Sequence, residues 1–269
     1  MQTQSAITSY SGRASTLESH QNVIERAILA MHQNIDQSFS LEGMAKSAMC
    51  SPFHFNRVFR QRLGLTPSHF LSALRLQAAK RLLLTTSLSV IDVCFEAGYN
   101  SLGSFTTRFT QLVGIPPHRL RKLGSSFKDM EQLLEKIPAN SQPVTKPSVI
   151  GNVTADHDFQ GPIFVGLFRE PIPQSAPVSC SVMHGCGHFR LPAAPDGAYF
   201  VFAAGQPWSD PVLSILLSDN ILRGTSGPVP VLVRQGAPPR QVEITLRRQH
   251  LTDPPILMAM PLLIGAQKG

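Results

Sequence analysis

No apolar run in this sequence is long enough to cross a bilayer. The greasiest stretch, PPILMAMPLLIG at 254–265, is short and broken by Pro261, whereas a spanning helix needs about 20 apolar residues. The opening MQTQSAITSYSGRAST is polar and reads as a flexible tail covering residues 1–19, not as a signal peptide. Without an export signal, the four cysteines (Cys50, Cys94, Cys180 and Cys186) are expected as reduced thiols in the cytoplasm. No Ser-His-Asp order, paired-carboxylate motif or Gly-rich phosphate loop stands out, so a non-enzyme without a cofactor is expected.

Acidic charge is scarce in one half only. The formal net charge is +7, and residues 1–125 hold 13 Lys and Arg against 6 Asp and Glu. Residues 126–150 and 151–269 are each balanced. Basic charge concentrated in this way favours a polyanion such as double-stranded DNA; a membrane is the weaker fit.

Texture divides the chain at the same place. Residues 20–125 show helical spacing of apolar residues. An amphipathic stretch, KDMEQLLEKI, and a Pro- and Ser-rich linker, Pro138–Ser148, fill 126–150. Residues 151–269 show short β-type runs between Pro and Gly turns: GPIFVGLF, PVSCSVMH, GAYFVFAA, VPVLV and QVEITLR. In the last, Val242, Ile244 and Leu246 alternate with Glu243 and Thr245, the period of a half-buried strand. The expected fold is multi-domain: an all-α unit, then a β-sandwich of about seven strands.

The α half repeats itself. Ser51, Phe55, Phe59, Gly64 and Pro67 recur fifty positions on as Ser101, Phe105, Phe109, Gly114 and Pro117. Upstream the offset is forty-nine, pairing Leu41 with Val90, Met44 with Val93, Ala45 with Cys94 and Met49 with Gly98. Each copy therefore reads as helix, tight turn, helix, the second turn being one residue longer. Ser40 and Ser51 are placed as N-caps, with Pro52 at the first helical position.

The segment SPFHFNRVFRQRLG (51–64) has two faces. Phe55, Val58 and Phe59 fall at i, i+3 and i+4 and make the packing face. Phe53, Asn56, Arg57 and Arg60 make a different one, carrying a guanidinium fork, an amide and an aromatic near the helix N-terminus. Those groups suit guanine O6/N7, adenine and a thymine methyl in a major groove. Between the copies Thr66–Thr86 reads as one helix, with Leu71, Leu74, Ala78 and Leu82 inward and Arg75, Lys80 and Arg81 in solvent. At about 1.5 Å per residue it separates the two reading helices by near one DNA turn, about 34 Å.

With both copies in view, FSLEGMAKSAMCSPFHFNRVFRQRLGLTPSHFLSALRLQAAKRLL and SVIDVCFEAGYNSLGSFTTRFTQLVGIPPHRLRK (about Phe39–Lys122) resemble the AraC/XylS family of bacterial transcription regulators. The resemblance implies a seven-helix, double helix-turn-helix domain that binds promoter DNA. Its base-reading positions fall on Phe53, Asn56 and Arg57 and on Gly103, Thr106 and Thr107. Phosphate contacts are expected from Ser51, Arg60, Ser101, Arg108, Arg119, Arg121 and Lys122. Two departures stand out: the usual turn glycine of the first unit is Met49, and the arginine common in the second reading helix is Thr107, with Arg108 displaced by one position. One position is about 100° around a helix, so the first unit is expected to carry most base specificity.

The family's sensing domain usually precedes the DNA-binding part; here the extra domain follows. PDGAYFVFAAG (Pro195–Gly205) is similar to turn-and-strand motifs of transthyretin-like and carboxypeptidase-regulatory-like sandwiches, and an immunoglobulin-like topology is the other guess. A small-molecule effector, a dimer contact or RNA polymerase are the partners open to it. Cys180, His184, Cys186 and His188 have metal-ligand chemistry but not zinc-finger spacing, so no metal is expected. Trp208 suits core or a pocket wall. Two alternative functions stay open: a DNA alkylation-repair methyl acceptor on the same DNA-binding domain, against which stands the absence of PCHR and of a four-cysteine zinc module, and a β domain serving only dimerisation or polymerase contact.

Overall fold

The computed structural model describes residues 4–124, 144, 146–208 and 212–259. The amphipathic stretch 128–137 and all but the end of the expected linker lie outside these residues. Among them, the helical half comprises α1 (Gln4–Gln33), α2 (Leu41–Ser47), α3 (Pro52–Leu63), α4 (Pro67–Thr85), α5 (Val90–Glu96), α6 (Leu102–Val113) and α7 (Pro117–Gly124). Helix α1 begins at Gln4, so residues 4–19 of the segment expected as a tail are helical.

Local chemistry sets the boundaries. The side-chain oxygens of Ser40, Ser51, Thr66, Ser89 and Ser101 accept from the backbone N–H groups of Gly43, His54, His69, Asp92 and Ser104. Each satisfies an otherwise orphaned amide at a helix start. Gly64 and Gly114 stop α3 and α6 at φ +71° and +92°, the left-handed closure that glycine adopts without a Cβ penalty.

The repeat folds as two helix-turn-helix units, α2–α3 and α5–α6, on the central helix α4. Phe55, Val58, Phe59, Phe105 and Phe109 are completely buried with Met44, Ala45, Val93 and Cys94. Phe59 meets Phe55 and Phe70 edge-on, at ring-centroid distances of 5.5 and 5.6 Å. Helix α4 departs from its expected amphipathicity. Leu71 and Leu74 are buried and Ala78 and Leu82 half-buried, but Leu76, Ala79, Leu83 and Lys80 are buried too. Arg75 is not on a solvent face either: its Nε donates to the Ile35 carbonyl at 2.9 Å and its Nη2 to the Gln37 carbonyl.

The β half contains β1 (Val149–Ala155), β2 (Pro162–Phe168), β3 (Ser179–His184), β4 (Gly187–Leu191), β5 (Gly197–Gly205), β6 (Leu222–Thr225), β7 (Val231–Val233) and β8 (Arg240–Leu246), with a short helix, α8 (Val212–Leu217), before β6. One sheet has the order β4-β1-β8, with β1 and β8 parallel. The other runs β3-β2-β5-β6, and β7 also pairs with β5. Both contribute to a common core, Val149, Val153, Phe189 and Leu246 from the first and Ile163, Val165, Tyr199 and Val201 from the second. Gly151 lets β1 lie close to its partner: a Cβ there would stand 2.1 Å from the Val242 carbonyl oxygen.

The two halves are packed together. Ile172, Leu216, Leu257 and Ala259 of the β half belong to the hydrophobic core of the helices. The Ser175 N–H and hydroxyl donate to the Leu112 and Gln111 carbonyls at 2.7 and 2.8 Å, and the Ala259 N–H donates to the Val113 carbonyl at 3.1 Å. Lys80 is enclosed at this junction, which is why it is not on a wet face.

Candidate nucleic-acid interface

Helices α3 and α6 turn their phenylalanines inward and the opposite faces outward. On α3, Phe53 is 82% exposed, Asn56 is half-buried and Arg57 and Arg60 are exposed. A phenylalanine so open to solvent gains nothing from folding. Arg57 lies against His54, its Nη2 3.3 Å from Nδ1, and the His54 ring stands 5.8 Å from that of His20 on α1. His20 is held below the usual histidine range by desolvation, then by its neighbours His54, Arg62 and Arg57. The N-terminal part of α3 is thus a cationic, partly aromatic surface.

On α6, Gly103, Thr107 and Arg108 are exposed and Thr106 is half-buried. A Cβ on Gly103 would meet nothing nearer than Ser101 Oγ at 3.9 Å, so protein packing does not require this glycine. Of the expected phosphate contacts, Arg119 and Lys122 are exposed, whereas Arg121 is half-buried with Nε and Nη2 shut off from solvent and unbonded. Ser51 and Ser101 are exposed but use their hydroxyls as N-caps; the recurrence of serine at these positions is already explained by helix starts.

The turns between the paired helices differ. Gly98 has φ +76°, and Met49, at the matching position, takes φ +57°. The methionine therefore accepts a left-handed conformation that costs a residue with a side chain about 1 kcal/mol or more. It can do so because its side chain runs outward, 78% exposed, with Arg26 Nη1 3.3 Å from its sulfur. A Cβ at Gly98 would instead lie 2.4 Å from the Ile35 carbonyl oxygen.

In the β half the Cys and His residues do not converge. Among the described residues no group of three or more His, Cys, Asp and Glu side chains could hold a metal ion. His184 faces Trp208 edge-on at 5.8 Å, and His188 and Cys186 are exposed. Trp208 is 63% exposed, so it is not a core residue. Sequence reasoning missed Arg223 and Lys80, whose basic side chains are buried at 6% and 0% exposure; nothing in the local sequence marks either as interior.

The outward faces of two capped helices, each second in a helix-turn-helix, define a DNA-binding domain. Residues 44–123 match the helix-turn-helix domain family. The chain is 28% identical over 129 residues to the HTH-type transcriptional activator AarP of Providencia stuartii, across 48% of this chain and 94% of that protein. It is 32% identical over 104 residues to the transcriptional activator RhaR of an Enterobacter species, across 37% of each chain. Against an uncharacterized HTH-type regulator of Haemophilus influenzae the match spans 33% of that protein, so the chain spans only about a third of the length of several relatives it resembles. The crystal structure of an AraC-type regulator from Chromobacterium violaceum is 28% identical, with a TM-score of 0.38, over 39% of this chain and 95% of that one. Among the described residues no helix is long and apolar enough to cross a membrane.

Proposed function

We propose that the chain is a bacterial, cytoplasmic, sequence-specific transcription regulator that reads two successive major-groove segments of double-stranded DNA. The observation that carries this reading is the outward presentation of Phe53, Asn56 and Arg57 on α3 together with Gly103, Thr106 and Thr107 on α6. Arg57 supplies a fork for a guanine edge and Phe53 an apolar surface for a thymine methyl. The second face has no long donor at Thr107, so the first unit supplies most of the base specificity and the second chiefly sets position on the backbone.

No catalytic step belongs to this reading. A methyl-accepting thiol requires a depressed pKa, and Cys50, Cys94, Cys180 and Cys186 are all pushed up, by burial first in each case. For the β half a sandwich of the immunoglobulin- or transthyretin-like kind is the reading favoured. The Tyr199 hydroxyl donates to the Pro195 carbonyl at 3.0 Å, a bond resembling the tyrosine corner of such sandwiches, although the parallel β1–β8 pair departs from a purely antiparallel pattern.

The test is selection of bound sequences from a random DNA library with the wild type, Arg57→Ala and Thr107→Ala. A motif in two segments about one helical turn apart, degraded in one segment by Arg57→Ala, is expected. If Thr107→Ala relaxes the preference more than Arg57→Ala, the division of labour is reversed. Salt-sensitive binding with no recoverable motif removes the regulator reading altogether.

A further inference from the structure

A cavity of about 70 Å³ lies between the outer face of the β2–β5–β6 sheet and residues 253–258. Water fills roughly 10–15 Å³ of such space per molecule, so there is room for a ligand of several heavy atoms. Its wall is largely apolar: Phe164, Phe168, Phe202, Ile256 and Met258 line it. Three charged residues, Arg223, Arg247 and Asp253, break this pattern. Arg223 lines the same cavity, is only 6% exposed, and donates from Nη1 to the Pro254 carbonyl at 3.2 Å. Its Nε and Nη2 are buried without a partner.

Those two nitrogens form one edge of the guanidinium, the pair of parallel N–H groups that a carboxylate accepts bidentately. Asp253, the nearby carboxylate, does not fill the role. Its oxygens are taken by Arg247 Nη1 and Nη2 at 2.8 and 2.7 Å and by the His250 N–H at 2.7 Å. With Asp253 neutralised by Arg247, the charge left over in the cavity is that of Arg223. A buried, unpaired donor pair is costly, and unlike the same pair on Arg121 this one belongs to a side chain that lines a cavity with room for an acceptor.

We propose that this cavity is an effector site for a small apolar monocarboxylate, whose carboxylate sits on the Nε–Nη2 edge of Arg223 and whose hydrocarbon part packs on Phe164, Phe168 and Phe202. The site is joined to the DNA-binding half through its own wall. Ile256 and Met258 face the cavity, while the Ile256 carbonyl accepts from Lys80 of α4 at 2.8 Å and the next residue, Ala259, bonds the end of α6. A ligand that favours one position of this segment favours the corresponding placement of α4 and α6. This second step rests on the DNA-binding reading; the binding step does not.

Isothermal titration of the full chain with benzoate and with valerate tests binding, with benzyl alcohol and pentanol as neutral counterparts. One acid should saturate a single site, and its neutral counterpart should bind about 10- to 100-fold more weakly, as expected when a charged hydrogen-bond receptor is left unfilled. Arg223→Met should abolish binding. Ala204→Leu, which fills the cavity and leaves Arg223 in place, should abolish it as well and serves if the first variant does not fold. Neutral ligands binding as tightly as the acids, no saturation by either acid at millimolar concentration, or full binding by Ala204→Leu would overturn the site. Repeating the titrations with a DNA fragment present separates the second step: an acid that binds but leaves DNA affinity unchanged overturns the coupling alone.

Discussion

Lys80 Nζ donates to the carbonyl oxygen of Ile256 at 2.8 Å, across 176 residues of chain. It also lies 3.4 Å from the Ser218 hydroxyl. The bond joins the centre of α4 to the segment that covers the β half, and a neutral amine can make it as well as an ammonium. Next to it Arg81 pairs with Asp219 at the surface, so two consecutive residues of α4 hold the β half by different means. The pair is exposed, contributing about 0–1 kcal/mol; the buried amine anchors a core shared by both halves.

Burial of Lys80, reinforced by Arg223 and opposed by Asp219, lowers its pKa from 10.5 to about 7. Between those values the unfolded chain binds a proton that the folded chain does not, so stability rises with pH across this window. The contribution is fully present above 10.5 and is lost as pH falls to about 7. Urea unfolding at pH 7 and pH 9 should show the wild type gaining on the order of 1–2 kcal/mol more than Lys80→Met. Parallel pH dependence in the two proteins would mean that Lys80 keeps an ordinary pKa.

The two turns give opposite responses to the same kind of change. Met49→Gly relieves a left-handed residue and should stabilise the fold by about 1 kcal/mol, with the DNA motif unchanged. Gly98→Ala adds a Cβ 2.4 Å from the Ile35 carbonyl oxygen at positive φ, and should cost about 2 kcal/mol or more. Thermal melting of the two variants checks both signs.

The helical half was largely legible because its repeat carries both copies of cap, core and stop: Ser51 with Ser101, Phe55 with Phe105, Gly64 with Gly114. Lys80 and Arg75 were misread on α4 because a helix buried on several sides has no amphipathic period to report, and the packing of the β half against it is not a local property. Strand β8 was legible from alternation in Val242, Ile244 and Leu246. Strand β1 was not, because Gly151 and Asn152 interrupt its apolar run and its closeness to β8 is a long-range contact. Arg223 lies in LRGT, a stretch too short to show alternation, and only the sheet and the segment above it make the residue interior.

Phosphate contacts are measured by salt. Each phosphate neutralised changes the slope of log K against log salt by about 0.9, so Arg60→Ala and Arg119→Ala should each flatten it by about that amount while leaving the selected motif intact. Arg121→Ala should leave the slope unchanged, since Nε and Nη2 of Arg121 are enclosed. A slope change at Arg121 equal to that at Arg60 would require the enclosed side chain to swing out on DNA.

Gly103 separates what the fold needs from what the DNA needs. It sits in the first turn of α6, exposed, with open space where a Cβ would be. Alanine is better than glycine inside a helix by about 1 kcal/mol, so Gly103→Ala should raise the melting temperature. If the helix meets a groove at this point, the added methyl fills space reserved for the DNA. Affinity should then fall, or the preference at the nearest base pair should shift, in a protein that is more stable than its parent. Melting and DNA-binding isotherms on the one variant decide it: higher stability with weaker or altered binding places Gly103 at the DNA, and higher stability with unchanged binding places the groove elsewhere on α6.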